Sequence, residues 1–264
     1  MLHYLFFLLA GLSTLGLYLG VQSLSPWLIL PIAIGFFVGW ILLYLIFLVV
    51  STAFLLSKKP VKKPKQFCSF LIWLTMDWLM RLFRVHVAFK GEERLPGEPT
   101  VMVCNHRSNL DPMTMLAVMR RRRLVYISKE SNFKIPIVGP YLRQAGFVAI
   151  DRENGMRAYR ALNQAAEQMK KTGVDIGIYP EGTRSKSCQL LRFKTGAFVL
   201  AQKAEAPIAV MAVKGSELVG RRAPFRRTDV EIEVLEIIDR ETVMALTPDE
   251  LAEKTRSIIE AHLQ

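Results

Sequence analysis

Residues 1–57 contain no Asp, Glu, Lys or Arg. A run that long without a formal charge is not the surface of a water-soluble domain, because such surfaces carry charged side chains throughout. Cysteine is scarce as well. Cys68, Cys104 and Cys188 stand far apart and no CxxC occurs, which excludes a zinc ribbon and a disulfide framework and fits a reducing compartment. The four histidines, His3, His86, His106 and His262, are too few and too scattered for a multi-histidine metal site, and HExxH is absent, so no metal is expected. GxSxG and GxxxxGKS/T are also missing, which excludes a serine-hydrolase elbow and a P-loop. There is no internal repeat and no low-complexity tract.

The net charge of +12 therefore falls entirely on residues 58–264. A basic protein can meet nucleic acid, anionic lipid or an acidic substrate, and the uncharged start favours lipid. Residues 2–21 are apolar over about the 20 residues that a spanning helix needs. A second, longer run covers 27–56, and Ser23-Leu24-Ser25-Pro26 between them reads as a tight turn. The sequence predicts a transmembrane helical hairpin over 1–57. A cleaved signal peptide fits less well, because no basic segment precedes the first run and a second follows directly. Gly16-xxx-Gly20 and Gly35-xxx-Gly39 match the small-residue pattern of packed spanning helices. Lys58, Lys59, Lys62, Lys63 and Lys65 follow the second run. The positive-inside rule places them in the cytoplasm, with the remainder of the chain, and they can hold anionic headgroups. Residues 58–84 read as this basic linker and an interfacial amphipathic helix, with Phe67, Phe70, Leu71, Leu74, Trp78 and Leu82 at helical spacing. A helix packed on the following domain is the plainer alternative.

From 85 to 264 short apolar runs alternate with helical stretches. Strands are predicted at 85–90, 100–104, 124–128, 147–150, 174–179, 207–213 and 230–237, and helices at 112–121, 155–171, 195–204 and 248–262. Thr247, Pro248 and Glu250 form a capping-box start for the last helix. This alternation predicts an α/β domain, with a mixed, mostly parallel sheet flanked by helices. The segment 214–227, with Arg221, Arg222, Arg226 and Arg227, reads as a basic surface loop.

Two stretches carry the chemistry. Asn105-His106-Arg107-Ser108-Asn109-Leu110-Asp111-Pro112 sets a histidine five positions before an aspartate, where an apolar run gives way to a helix start. A histidine oriented by a carboxylate is a ready base, although Asp-Pro is also a good helix cap by itself. Tyr179-Pro180-Glu181-Gly182-Thr183-Arg184-Ser185 offers a carboxylate, a glycine, a hydroxyl and a guanidinium in succession. Gly182 can expose backbone N–H groups to an oxyanion or phosphate. Arg184 can grip a phosphate with two parallel hydrogen bonds, and Glu181 can orient a hydroxyl or pair with a base. Lys194 adds a charge just before a helix start, where anions are favoured. With no nucleophile in an evident motif, the base is expected to act on the acceptor's own hydroxyl.

At these residues the chain resembles the glycerolipid acyltransferases, most closely the bacterial 1-acylglycerol-3-phosphate (lysophosphatidic acid) acyltransferases. Asn105, His106 and Asp111 match that family's NHxxxxD block, and Tyr179–Ser185 matches its FPEGTRS block with Tyr for Phe. Phe147-Val148-Ala149-Ile150-Asp151-Arg152 and Ala206-Pro207-Ile208-Ala209-Val210 match two further blocks, in the family's order. The resemblance covers about 85–215. It implies that His106 takes the proton of the sn-2 hydroxyl of lysophosphatidate while Asp111 holds the other ring nitrogen. The alkoxide then attacks the thioester of acyl-CoA or acyl-carrier protein, and phosphatidic acid is formed. Backbone N–H groups near Gly182 steady the oxyanion. Arg184, with Arg152 and Lys194, binds the phosphate, and Asn105, Glu181 and Thr183 complete the substrate site. No metal or bound cofactor is implied, the partners are membrane lipid and these two substrates rather than nucleic acid, and the setting is the cell membrane with the catalytic domain on its cytoplasmic side. The same motifs serve acyltransferases for other acceptors, such as glycerol-3-phosphate or other lyso-phospholipids. A non-enzymatic binder of anionic lipid or nucleic acid accounts for the charge but not for the pairing of the two motifs.

Overall fold

The computed structural model describes residues 13, 26–55, 64–185 and 189–264. The chain divides into two compact units, Met1–Lys58 and Lys59–Gln264. In the first, helix α1 spans Pro26–Leu55, 30 residues without an acidic or basic side chain. At 1.5 Å per residue its axis is about 45 Å long. Ile34, Phe37, Leu42, Leu43 and Ile46 on it are each more than half exposed. Counted over the described residues alone, no helix is long and apolar enough to cross a membrane; within α1 the side chains are described without a break only over 34–47. The expected hairpin is thus not shown as such. Its first span and turn, with Gly16 and Gly20, lie outside the described residues apart from Ser13 and Pro26, as do Lys58, Lys59, Lys62 and Lys63. Around Gly35 and Gly39 no atom comes within 4 Å of where a Cβ would sit, so the close helix approach expected there is not made among the described residues.

The second unit is built on a seven-stranded sheet. Its strands are β1 (Val85–Lys90), β2 (Val101–Cys104), β3 (Leu124–Lys129), β4 (Val148–Ile150), β5 (Asp175–Ile178), β6 (Ile208–Lys214) and β7 (Thr228–Ile238). They lie in the order β1-β7-β6-β2-β5-β3-β4. Every neighbouring pair is parallel except β6 and β7. The mixed, mostly parallel sheet read from the sequence is therefore present. β2 is buried along its whole length, and β6 up to Lys214, as parallel strands covered on both faces must be. One consequence governs the site. β2, β5 and β6 end where β1 and β7 begin, so the loops that carry both sequence motifs leave the sheet at one end.

Two groups of helices cover the sheet. Helix α2 (Gln66–Leu82) packs with α3 (Asp111–Val118) and α4 (Val138–Ala145), whereas α5 (Gly155–Thr172) packs with α6 (Gly196–Ala204) and α6 with α9 (Pro248–Leu263). The start of α9 is the predicted capping box: Thr247 Oγ1 accepts from Glu250 N–H at 3.3 Å, and Glu250 Oε2 accepts from Thr247 N–H at 2.8 Å. The short α7 (Val219–Arg222) and α8 (Arg240–Ala245) complete the set.

Three expectations change. The apolar stripe of α2, read as a lipid-facing surface, turns inward at its middle: Leu71 and Leu74 are each 2 % exposed, packed within the unit, while Phe67, Phe70 and Leu82 at its ends stay exposed. Helix α4 is not among the helices read from the sequence, and it carries Gly139-Pro140 in its first turn. Proline is tolerated in a first helical turn, and Gly139 is needed there, since a Cβ would lie 2.1 Å from Phe133 O. The segment 214–227 is not wholly loop, since a turn of 3-10 helix (Ser216–Leu218) and α7 bury Ser216 and Val219.

Candidate active site

His106 follows β2 directly, and Asp111 opens α3 five residues later. Between them the chain turns back, so that His106 Nδ1 lies 2.8 Å from Asp111 Oδ2. The same oxygen accepts from Arg107 N–H at 2.7 Å and Ser108 N–H at 2.8 Å. With three N–H groups converging on it, this oxygen acts as an acceptor, which assigns the ring proton to Nδ1 and leaves Nε2 as the basic nitrogen. No hydrogen bond engages Nε2 among the described residues. Asp111 is buried and 2 % exposed. Its carboxylate reaches backwards to residues 106–108 rather than forwards into α3, so it orients the histidine and is not a simple helix cap.

The second motif wraps around the same histidine. Glu181 Oε1 accepts from His106 N–H at 2.6 Å, and Oε2 accepts from Leu191 N–H at 3.1 Å. Ser185 N–H donates to His106 O at 2.9 Å. Both backbone polar groups of His106 are thus held by residues about 75 positions along the chain. Burial pushes the Glu181 carboxyl above its ordinary value, and the two N–H bonds pull it part of the way back. Glu181 thus ties the backbone of His106 to that of Leu191.

Aromatic rings set the plane of the imidazole. Tyr179 stacks on His106 with centroids 4.2 Å apart, and Tyr126 lies parallel to Tyr179 at 5.5 Å. Burial raises both phenols well above their ordinary value, so neither is an acid or base at neutral pH. Gly177 makes room for this stack: a Cβ there would come 2.3 Å from the Tyr126 ring. Sequence reasoning quoted Tyr179 only as a variant of the motif's first position and did not find Tyr126. The signal available was an aromatic residue at the end of β5 beside the motif. Cys104, next to the site, is buried and its thiol is raised by desolvation, which removes it as a nucleophile.

The structure brings Gly182, Arg152 and Lys194 together. Gly182 has φ +70°, and the Lys194 Cε and Nζ atoms lie 3.1 Å from where its Cβ would be. An arginine N–H of Arg152 donates to Gly182 O, and desolvation lowers the guanidinium somewhat although the residue is exposed overall. The Gly182 N–H itself donates to Tyr179 O at 3.1 Å, so it is not available to an oxyanion as expected. The N–H groups of Thr183 and Arg184 have no acceptor among the described residues. Both side chains are exposed, and Arg184 makes no ion pair among those residues.

Asn105 does not meet its expectation. It is 1 % exposed. Its amide N–H donates to Val213 O at 3.0 Å and its carbonyl accepts from Val213 N–H at 2.8 Å. It staples β2 to β6 from a buried position. Among the described residues the only trio able to share a cation is Glu231, Glu233 and His262, on β7 and α9, none of them a residue of either motif. Lys90 Nζ already lies 2.7 Å from Glu231.

Known proteins resemble this chain in sequence and fold. The family described as Acyltransferase matches residues 86–214. Over 192 residues the chain is 34% identical to the 1-acyl-sn-glycerol-3-phosphate acyltransferase of Saccharomyces cerevisiae, covering 70% of this chain and 63% of that protein. Over 183 residues it is 30% identical to the Haemophilus influenzae enzyme of the same name, covering 67% of this chain and 74% of that protein. The chain thus aligns with less than two thirds of the yeast relative's length. The crystal structure of the 1-acyl-sn-glycerophosphate (LPA) acyltransferase, PlsC, of Thermotoga maritima has the same fold, with a TM-score of 0.63 at 24% identity over 84% of this chain and 90% of that one. The chain therefore belongs to the acyltransferase family.

Proposed function

We propose that the protein transfers an acyl chain from the thioester of acyl-CoA or acyl-carrier protein to the sn-2 hydroxyl of 1-acylglycerol-3-phosphate, giving phosphatidic acid for phospholipid synthesis. The observation that carries this reading is the 2.8 Å contact of His106 Nδ1 with Asp111 Oδ2, which leaves Nε2 to accept a proton. Nε2 takes the proton of the acceptor hydroxyl, and the oxygen attacks the thioester carbonyl. The imidazolium is stabilised by Asp111 across the Nδ1–H bond. When the tetrahedral intermediate collapses, the C–S bond breaks and the proton on Nε2 passes to the sulfur, so the donor leaves as a thiol. The N–H groups of Thr183 and Arg184 are the donors suited to the oxyanion. Arg184, unpaired among the described residues, is the guanidinium suited to the acceptor's phosphate, and Arg152 and Lys194 lie at Gly182, two residues before it in the chain. No step requires a metal or a bound cofactor.

The same reading places the protein at the cell membrane. Helix α1 carries no charge over 30 residues, exceeds the roughly 30 Å of a hydrocarbon core, and exposes the large apolar side chains named above. Together with the apolar run before it, this supports the hairpin, and the five lysines between 58 and 65 support a cytoplasmic catalytic unit.

The test is thioester consumption by the purified protein with palmitoyl-CoA and palmitoyl-carrier protein, each offered 1-acylglycerol-3-phosphate, glycerol-3-phosphate and lysophosphatidylcholine. Phosphatidic acid is the expected product with the first acceptor. Preferential acylation of either other acceptor overturns the substrate, and thioester use with none of them overturns acyl transfer to these glycerolipids.

A further inference from the structure

The strand directions place the loop 215–227 at the catalytic end of the sheet. β6 runs parallel to β2, so the chain leaving β6 emerges where His106 leaves β2. It returns through β7, antiparallel to β6, beside the start of β1. At the tip of this loop Phe225 is 85% exposed, and Leu82, just before β1, is 44% exposed. Single exposed apolar residues are ordinary on protein surfaces; this one is held in place. Gly215, at φ +84°, passes so close to Asp229 that a Cβ would lie 2.5 Å from its carbonyl oxygen. Val219 is fully buried. Ala223 N–H donates to Val219 O at 2.9 Å, and Arg226 N–H to Arg222 O at 2.8 Å. Arg84 Nη1 donates to Phe225 O at 3.2 Å. The loop is a fixed mount that presents its phenyl ring to the outside.

The charge around that ring is equally one-sided. Arg221, Arg222 and Arg226 are exposed, and none has a carboxylate partner among the described residues. Arg227 alone is paired, with Asp229 at 2.7 Å. Three guanidiniums without counter-ions beside a projecting aromatic ring complement a surface that is anionic outside and apolar just beneath, which is the chemistry of a bilayer rich in acidic phospholipid. Nucleic acid would take the charges but gives a single phenyl ring no groove in which to bury.

We propose that loop 215–227 docks the catalytic end of the sheet onto an anionic membrane surface. Phe225 enters the acyl-chain boundary, and Arg221, Arg222 and Arg226 lie on headgroup phosphates. The proposal rests on the reading of a lipid acceptor, because docking brings the end that bears His106 to where such an acceptor lies.

The experiment uses the full chain reconstituted in vesicles of phosphatidylcholine, with or without phosphatidylglycerol, some carrying brominated acyl chains. Phe225→Trp adds a reporter, read as the quenching gained over the wild type with its native tryptophans. The gain is expected in anionic vesicles and small in zwitterionic ones. Replacing Arg221, Arg222 and Arg226 together with Gln in that background is expected to abolish the gain and to lower acyl transfer on anionic vesicles roughly tenfold, with the thermal midpoint and the turnover of a water-soluble short-chain acceptor unchanged. A reporter that stays unquenched in anionic vesicles overturns the proposal. So does a Phe67→Ala, Phe70→Ala variant that accounts for all of the lipid dependence. Quenching needs no catalysis, so a protein that docks without acylating the lipid refutes the functional reading and leaves docking standing.

Discussion

The imidazole of His106 and the phenol ring of Tyr179 lie face to face, 18° from parallel with centroids 4.2 Å apart. The stack, continued by Tyr126, closes one face of the base and leaves rotation about its Cβ–Cγ bond little room. It is a positioning device, and it depends on a glycine two residues before the motif.

Tyr179→Phe is therefore expected to keep near wild-type activity. It loses only the contact between the Tyr179 and Tyr126 hydroxyls at 3.4 Å. Tyr179→Leu keeps an apolar side chain but no ring. An aromatic pair contributes about 0.5–1.5 kcal/mol beyond its buried area, so kcat is expected to fall up to about tenfold. Gly177→Ala pushes the Tyr126 ring out of the stack and should lower kcat as well. Steady-state kinetics of the three variants check this, and equal losses in the Phe and Leu variants would sink the stacking argument.

His106→Ala removes the proposed base, and kcat is expected to drop on the order of a hundred- to ten-thousand-fold, with the protein still folded. Asp111→Asn is a sharper probe. Oδ2 accepts three N–H bonds while the buried Oδ1 has no partner. An asparagine that keeps its oxygen among the three donors must bury its NH2 without an acceptor, and the flipped rotamer aims NH2 at the donors. Both arrangements loosen the imidazole, so kcat falls while the acceptor KM holds. A KM effect alone would place Asp111 in substrate binding.

How much of this was legible in the sequence depended on how local its cause is. Thr247 and Glu250 bond each other across three residues, and that helix start was readable from four letters. The central strands β2 and β6 were readable from their apolar runs because both of their faces are buried. The His106–Asp111 pair was readable because the two lie only five positions apart. What failed was decided at long range. Asn105 looked like a site residue by position, but its partner Val213 lies 108 residues away. Leu71 and Leu74 looked lipid-facing because an apolar stripe does not say what covers it. That the Gly182 N–H is taken by a turn bond inside the motif, to Tyr179 O, is invisible without coordinates.

Glu181 ties pH to stability. Its carboxyl is raised above the ordinary 4.5 by burial, so between that value and the raised one the folded chain holds a proton that the unfolded chain has released. Stability from this group is complete below the unfolded pKa and is lost as pH rises through the folded one. Glu181→Gln lacks this slope. The wild-type thermal midpoint, measured relative to that variant, is expected to decline as pH rises from about 4.5. A difference that instead grows with pH would mean that the N–H bonds, not burial, dominate.

Asn105→Ala tests the staple. It strands the Val213 N–H and carbonyl inside the sheet, at about 1–3 kcal/mol for each buried group left unpaired. The thermal midpoint should fall, and the acceptor KM of the protein that remains folded should not change. A raised KM at unaltered stability would return Asn105 to the substrate site.

Arg184 is the residue proposed to hold the acceptor's phosphate. It stands exposed beside the His106 loop and has no ion pair among the described residues, whereas Arg152 is already bonded to Gly182 O. A guanidinium that meets a phosphate only when substrate arrives contributes a charged hydrogen bond of about 1.5–3 kcal/mol. Arg184→Ala is expected to raise the KM for lysophosphatidate roughly ten- to a hundredfold, with the KM for the thioester and the thermal midpoint unchanged. Arg184→Lys keeps the charge but not the paired N–H geometry, and should recover only part of the loss. Lys194→Ala, beside the same glycine, should give the smaller effect of a single point charge. If Lys194 or Arg152 governs the acceptor KM and Arg184 does not, the phosphate lies against the backbone of Gly182 rather than beyond it.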